Sequence, residues 1–504
     1  MRRVNAAALR GWITDGQELA ILDAREEGEF GASHLFWAVA CPLSRAELRA
    51  PALLPCRRTR VVCVDDGRGV AERLAAYLVG IGCTDVSVLD GGTPAWEAAG
   101  FVLFSGVNVP SKAFGEWVEH HYGTQSVDAP ELKSWLDAKR DMVVLDSRTF
   151  EEFQRMSIPG GVSVPGGELA YRVADLAPNP ETLVVVNCAG RTRSILGAES
   201  LRQAGIPNQV VALRNGTMGW ELAGLTCEYG RNERFAPGTP ATAALAATRA
   251  AAFATRCGVQ VVDAPRLGEM QADLSRTLYV LDVRDPQEFA VLSRPGSVNA
   301  PGGQLVQATD QWIAVRNARV AVIDDDGVRA RMAAGWLRQM GHTDVYVVEN
   351  ALPPRITVAE LAASGALVID LDRSLAFREG HIPGAVWGIR TRLHLLRERI
   401  AAAPLVALTS SDGTLAELAV PEARAIATAR VVTLAGGTAA WRQAGLALEH
   451  DRLVPPDEAC VDVYLRPYDR NTGIEAAMQA YLDWEIDLVR EIARDGTVRF
   501  GDQL

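Results

Sequence analysis

The sequence predicts an α/β protein made of four tandem repeats, each a small doubly wound parallel sheet flanked by helices, and three observations predict it. An apolar run that ends in aspartate occurs four times. A second apolar run follows each at a nearly constant interval, and helical segments follow the second runs. Strands that alternate with helices assemble into parallel, doubly wound sheets. Sheets of that kind collect their ligands at the carboxyl ends of the strands.

The first runs cover residues 20–23, 143–146, 279–282 and 367–370, ending at Asp23, Asp146, Asp282 and Asp370. Arg25, Arg148, Arg284 and Arg373 follow, and in the first three repeats Glu29-Phe30, Glu152-Phe153 and Glu288-Phe289 come next. A turn succeeds each: His34-Leu35, Pro159-Gly160, Pro295-Gly296 and His381-Ile382-Pro383-Gly384. The second strands, 60–64, 183–187, 320–323 and 405–409, end at Asp65, Cys188, Asp324 and Ser410. Those residues lie 42, 42, 42 and 40 positions after the first aspartates, so they are structurally equivalent strand ends. Helical segments 71–82, 194–205 and 330–341 come after them. A third strand and a Gly-x-x-x-Trp signal close three repeats, at Gly92 to Trp96, Gly216 to Trp220 and Gly437 to Trp441; the third repeat lacks that tryptophan.

This spacing places domains at 1–104, 126–228, 258–352 and 354–449, with a helical tail at 450–504. Residues 101–125 and 229–257 are the linkers; the second is rich in Ala and Arg, with Pro237 and Pro240 ahead of an expected helix. The tail opens with Pro455-Pro456 and carries a helical apolar pattern from 474 to 492. A face of that kind packs against another domain or a second copy of the chain, so a homodimer through the tail is the expected protein contact.

The net charge of −11 argues against nucleic acid, which requires a basic face. No run of about 18 apolar residues occurs, so no membrane span is expected. The basic start at Arg2 and Arg3 leads into Arg10, Asp15 and Glu18 rather than an apolar stretch, so a cytoplasmic protein without a signal peptide is expected. Eight cysteines form no CxxC pair, which excludes a zinc ribbon or a disulfide scaffold. His120 and His121 are adjacent and point apart, so no metal is expected, and with no GxGxxG or GxxxxGK(S/T) context no cofactor is expected. Seven cysteines read as reduced structural thiols, with Cys63 facing the core.

Cys188 is different. It begins the run Cys188-Ala189-Gly190-Arg191-Thr192-Arg193-Ser194, between a strand and a helix expected to start near Ser194. A thiolate is favoured by cations and by a helix N-terminus, and loop amides that curl back on sulfur form an anion nest. Arg191 and Arg193 supply charge, Gly190 a backbone angle that side chains disfavour, and Thr192 and Ser194 hydroxyls. Repeats one, three and four offer Asp65-Asp66-Gly67-Arg68, Asp324-Asp325-Asp326-Gly327 and Ser410-Ser411-Asp412-Gly413. A carboxylate repels an anion and a lone serine lacks a base, so these three read as silent. Arg148 with Glu152 is read either as substrate-binding or as a structural ion pair, and the tryptophans as core.

On these residues the chain resembles the rhodanese family of sulfurtransferases, as four tandem rhodanese-like domains over residues 5–449. The resemblance rests on Leu145 to Arg148, Glu152-Phe153, Ile158 to Gly161, the Cys188 to Ser194 loop, Gly216 to Trp220 and His381 to Ala385. It implies that Cys188 takes a sulfane sulfur from thiosulfate or a persulfide donor and hands it to a thiol or cyanide in a ping-pong cycle. Ala189, Gly190, Arg191, Thr192, Arg193, Ser194 and Arg148 are then the substrate-binding residues. The alternative is a sulfur carrier or scaffold without turnover. A phosphatase-like hydrolase is disfavoured because Arg193 lies five positions after Cys188, one short of the phosphatase spacing.

Overall fold

The computed structural model describes residues 1–236, 238–291, 293–349 and 355–495. Pro237, the expected boundary at 352–354 and the tail beyond 495 lie outside them. Four mainly parallel sheets are present, one per repeat. In the second repeat the order is Ser126–Val127, Val210–Leu213, Leu183–Asn187, Met142–Asp146 and Val162–Ser163, all parallel. The central strand Leu183–Asn187 is buried throughout, as its Leu-Val-Val-Val composition requires of a strand covered on both faces. In register, Leu145 lies beside Val186 and Asp146 beside Asn187, so Asp146 stands next to the residue that precedes Cys188.

The helices after the second strands are Val70–Gly80, Thr192–Ala204 and Arg329–Gln339. The second ends where Gly205 turns left-handed at φ 74°. In the fourth repeat the corresponding region is two short helices, Thr414–Leu418 and Val420–Arg424, divided before Pro421.

The chain forms two compact units, 1–352 and 353–504. The boundaries expected near 104–126 and 228–258 therefore separate sheets but not bodies. Repeats one and three share one core, in which Leu22, Val61 and Leu74 meet Tyr279, Val315 and Leu337. The strand Val315–Arg316 pairs antiparallel with Ala20 and Leu19 of the first sheet. Repeats two and three share another core, where Ile195 and Leu196 meet Phe253 and Trp336. Trp336 Nε1 donates to Ser200 Oγ at 2.8 Å. The linker helix Pro240–Arg256 lies in that seam, burying Ala246, Ala250 and Phe253. Truncating a buried aromatic of this kind costs about 3–5 kcal/mol.

The first linker is also structured. Residues Val109–Tyr122 form a helix with Pro110 in its first turn and Gly123 in the left-handed conformation beyond its end. Its buried residues Phe114 and Val118 pack against the helix Thr192–Ala204 side of the molecule. Gly115 permits the crossing, since a Cβ there would lie 2.8 Å from Thr192 Cγ2.

In the second unit, the tail packs on its own repeat. Arg378, buried, donates to Pro455 O and pairs with Asp457 at 2.9 Å. The final helix runs Ile474–Asp495.

Candidate active site at the strand end of the second repeat

Cys188 is 1% exposed and sits at the tip of the central strand, immediately before the loop. The strand end is braced from below. Asp146 accepts a bidentate pair from Arg148, at 2.9 and 2.7 Å, and a bond from Asn187 Nδ2 at 2.7 Å. Ser147 Oγ donates to Asn187 O at 2.8 Å. Arg148 is itself buried and donates its remaining bond to Met156 O at 2.5 Å. Its donors are thus directed at Asp146 and the chain near Met156. The ion pair expected between Arg148 and Glu152 is corrected: Arg148 pairs with Asp146, and Glu152 pairs with Arg193.

The loop is braced from behind by the Gly-x-x-x-Trp segment. Thr217 N donates to Cys188 O at 2.9 Å, and Met218 N to Ala189 O at 3.1 Å. A Cβ on Gly216 would lie 2.2 Å from Cys188 O, so only glycine lets this helix start approach so closely. Gly92 and Gly437 make the same approach to Asp65 O and Ser410 O. The left-handed angle belongs to Gly216, at φ 54°, not to Gly190. A Cβ on Gly190 meets nothing within 4 Å. The freedom expected of Gly190 is therefore unused.

The thiol of Cys188 donates to Ser194 Oγ at 3.5 Å, and that hydroxyl donates to Arg191 O at 2.9 Å. The helix begins at Thr192, two residues earlier than expected, with Arg191 as its cap residue. What this helix start offers an anion is visible in the other repeats. Asp65 accepts from Gly67 N, Val70 N and Ala71 N at 2.8, 2.7 and 3.1 Å. Asp324 accepts from Ala330 N at 2.8 Å, and Ser410 Oγ from Ala416 N at 3.3 Å. In repeats one and three a carboxyl group of the chain already occupies the amide cradle; in repeat two Cys188 holds the equivalent position, bonded to Ser194 Oγ.

The two loop arginines are not free cations. Arg193 is paired bidentately with Glu152 at 2.6 and 2.8 Å and is 14% exposed. Burial works against its charge, but Glu152 and then Cys188 and Asp146 outweigh it and raise its pKa. Arg193 therefore lies within the field of the sulfur. Glu152, held by Arg193, titrates below the ordinary glutamate range despite its burial. Arg191 is turned outward. It pairs with Glu116 at 2.8 Å and also with Glu119, both on the helix Val109–Tyr122. Of the two arginines expected to supply charge at the sulfur, Arg193 is held by Glu152 and Arg191 by Glu116 and Glu119. Glu116 and Glu119 escaped the sequence reading because their contact spans 75 and 72 residues. Their i, i+3 spacing on an amphipathic segment was the available signal.

No group of three or more metal-ligating side chains occurs among the described residues. No described helix is long and apolar enough to cross a membrane.

This strand-end loop on a repeated parallel sheet places the chain in a known family: it belongs to the rhodanese family, whose rhodanese-like domain matches residues 5–99, 128–223 and 264–353. Over its whole length the chain is similar to a solved structure, the crystal structure of a thiosulfate sulfurtransferase from Pseudomonas aeruginosa. The two are 44% identical, with 99% of each chain covered and a TM-score of 0.68. A putative sulfur carrier protein of Bacillus subtilis is 27% identical over 22% of this chain. An HTH-type transcriptional regulator of Mycobacterium tuberculosis is 32% identical over 18% of it. The matched segments span 64% and 39% of those two proteins.

Proposed function

We propose that the protein is a sulfurtransferase that carries a sulfane sulfur on Cys188. The single observation that carries this reading is the occupancy of four equivalent strand ends: Asp65, Asp324 and Ser410 stand where only the second repeat has a sulfur. In the first half-reaction the Cys188 thiolate attacks the outer sulfur of the donor. A Cys188 Sγ–S bond forms, the donor S–S bond breaks, and its electron pair leaves with sulfite or a thiolate. In the second, an acceptor thiolate or cyanide attacks the terminal sulfur and releases the Cys188 thiolate. No external oxidant or reductant is consumed.

The start of the helix Thr192–Ala204 stabilises the charge on sulfur, joined by Ser194 once its hydroxyl proton turns from Arg191 O to the thiolate. Arg193 lies near enough to balance it, while Glu152 holds that arginine in place. Ala189, Gly190 and Thr192 shape the loop, and Arg191 meets the donor once it leaves Glu116 and Glu119. The three other repeats are silent in this reading, and a cytoplasmic location fits the reduced thiols. The 44% identity to a thiosulfate sulfurtransferase supports thiosulfate as a donor. Steady-state kinetics test the reading: parallel double-reciprocal lines with thiosulfate and cyanide are expected. A second reading, a sulfur carrier, has the Bacillus relative in its favour. It predicts loading of Cys188 without multiple turnover until a partner protein is added.

A further inference from the structure

We propose that the first unit contains a second small-molecule site, separate from Cys188, that takes an aromatic monoanion. A cavity of about 320 Å³ opens between the first repeat, the helix Val109–Tyr122 and the third repeat. That is within the size range of ligand pockets. Its walls are apolar and largely aromatic: Phe36, Trp37, Phe114, Trp117, Ile313 and Met340 line it.

Into this apolar space the chain puts a cation without a counter-ion. Arg316 lines the cavity and lies over the Trp37 ring at 3.8 Å. Its Nε is buried without a hydrogen-bond partner. Among the described residues no carboxylate is recorded within ion-pair distance of it. Burial lowers its pKa with no neighbouring charge to offset the effect. Such a group is costly unless an anion completes it. Other half-buried arginines of this unit, such as Arg60, Arg193 and Arg331, have their carboxylates.

Two further groups sharpen the ligand class. Asp310 Oδ1 is buried without a partner at the same cavity, and burial raises its pKa. His342 is pushed down to about 4 by burial and by Arg316, so it is neutral at pH 7. A flat apolar body therefore fits against the aromatic wall, its acid group on Arg316, with neutral His342 and the unpartnered Asp310 Oδ1 as hydrogen-bonding neighbours. A dianion or a polar sugar phosphate finds one cation and an apolar lining, which is too little charge.

The pocket shares a helix with the catalytic loop. Ala113 and Trp117 line it, while Glu116 on the same helix holds Arg191.

The test uses the full chain and two fluorescent probes with the same apolar body: 8-anilinonaphthalene-1-sulfonate, an anion, and N-phenyl-1-naphthylamine, which is neutral. Wild type is expected to bind the anionic probe saturably at one site, with energy transfer from tryptophan. Arg316→Gln is expected to weaken the anionic probe by about tenfold or more while changing the neutral one by less than about threefold. Ala113→Phe, on the exposed side of the linker helix, is expected to fill the cavity and weaken both. Melting curves confirm that each variant folds, and should Arg316→Gln fail to fold, Ala113→Phe and Arg316→Lys carry the test. An anionic probe that binds Arg316→Gln as it binds wild type overturns the proposal. So does a wild type that binds neither probe saturably, or an Ala113→Phe that binds both unchanged.

Discussion

The second and third repeats are the same frame shifted by 136 residues, and they put opposite contents in it. Asp146, Glu152, Cys188 and Arg193 correspond to Asp282, Glu288, Asp324 and Arg329. Both arginines hold the matching glutamate, Arg193 to Glu152 at 2.6 Å and Arg329 to Glu288 at 2.5 Å. Arg193 stops there. Arg329 also takes Asp325, Asp326 and, from the second repeat, Glu168 at 2.7 Å. Asp324 is pushed well above the ordinary aspartate range by burial and by Asp326, whose own charge is kept by Arg329. In the third repeat the equivalent strand end is thus a buried junction between two domains, with Asp324 in place of the cysteine and further carboxyl groups filling the space around it.

The largest way to break this comparison is to swap the key residue. Cys188→Ala is expected to lower sulfur transfer by about 10³-fold or more in a thiosulfate–cyanide assay. Asp324→Cys, made in that background, is expected to restore none of it, because Asp326 and Arg329 still occupy the site. Recovery in Asp324→Cys would show that the cysteine alone separates the repeats.

The two arginines are expected to fail in different currencies. Arg329→Met leaves buried Asp326 without its cation and Glu168 with Arg172 alone, and is expected to destabilise the first unit by about 3–5 kcal/mol in denaturant unfolding. Arg193→Met is expected to lower kcat/KM by about tenfold with a much smaller stability loss. Freeing Arg191 is a subtler change. Glu116→Gln with Glu119→Gln is expected to raise kcat/KM for thiosulfate by about three- to tenfold at low salt, a gain that fades at high ionic strength.

A pH-dependent difference lies in the fourth repeat. Asp23, Asp146 and Asp282 each have an arginine two residues on, but Asp370 has Asp372. The Arg373 read as its equivalent is one place too late. Burial therefore raises Asp370 to about 7. A carboxyl whose folded pKa is raised holds its proton more tightly when folded. Its contribution is full below the unfolded value of 3.8 and is lost as pH rises towards 7. The second unit is expected to lose thermal stability over that window, and Asp370→Asn to flatten the loss.

Much of this was legible in the sequence because it is local. The strand ends follow from apolar runs and a spacing of 42, and Cys188 stands out by the residues within six positions of it. What the sequence hid is held across distance. The pairing of Arg191 with Glu116, of Arg329 with Glu168 and of Val315 with Ala20 joins residues whose separation carries no periodic signal. Gly190 misled for a related reason: a glycine in a reactive loop suggests a special angle, but the approach that demands one falls on Gly216, in the segment that backs the loop. Arg148 misled because its partner lies two residues before it, in the strand, while the reading looked forward along the helix to Glu152.

The most direct test of the central claim is a persulfide map of the whole chain. After incubation with thiosulfate or glutathione persulfide and blocking of thiols, the Cys188 peptide should gain about 32 Da, one sulfur atom, at close to one equivalent per chain. The other seven cysteines should gain none. A chain that turns over donor with Cys188 unmodified, or that loads another cysteine equally well, contradicts the account.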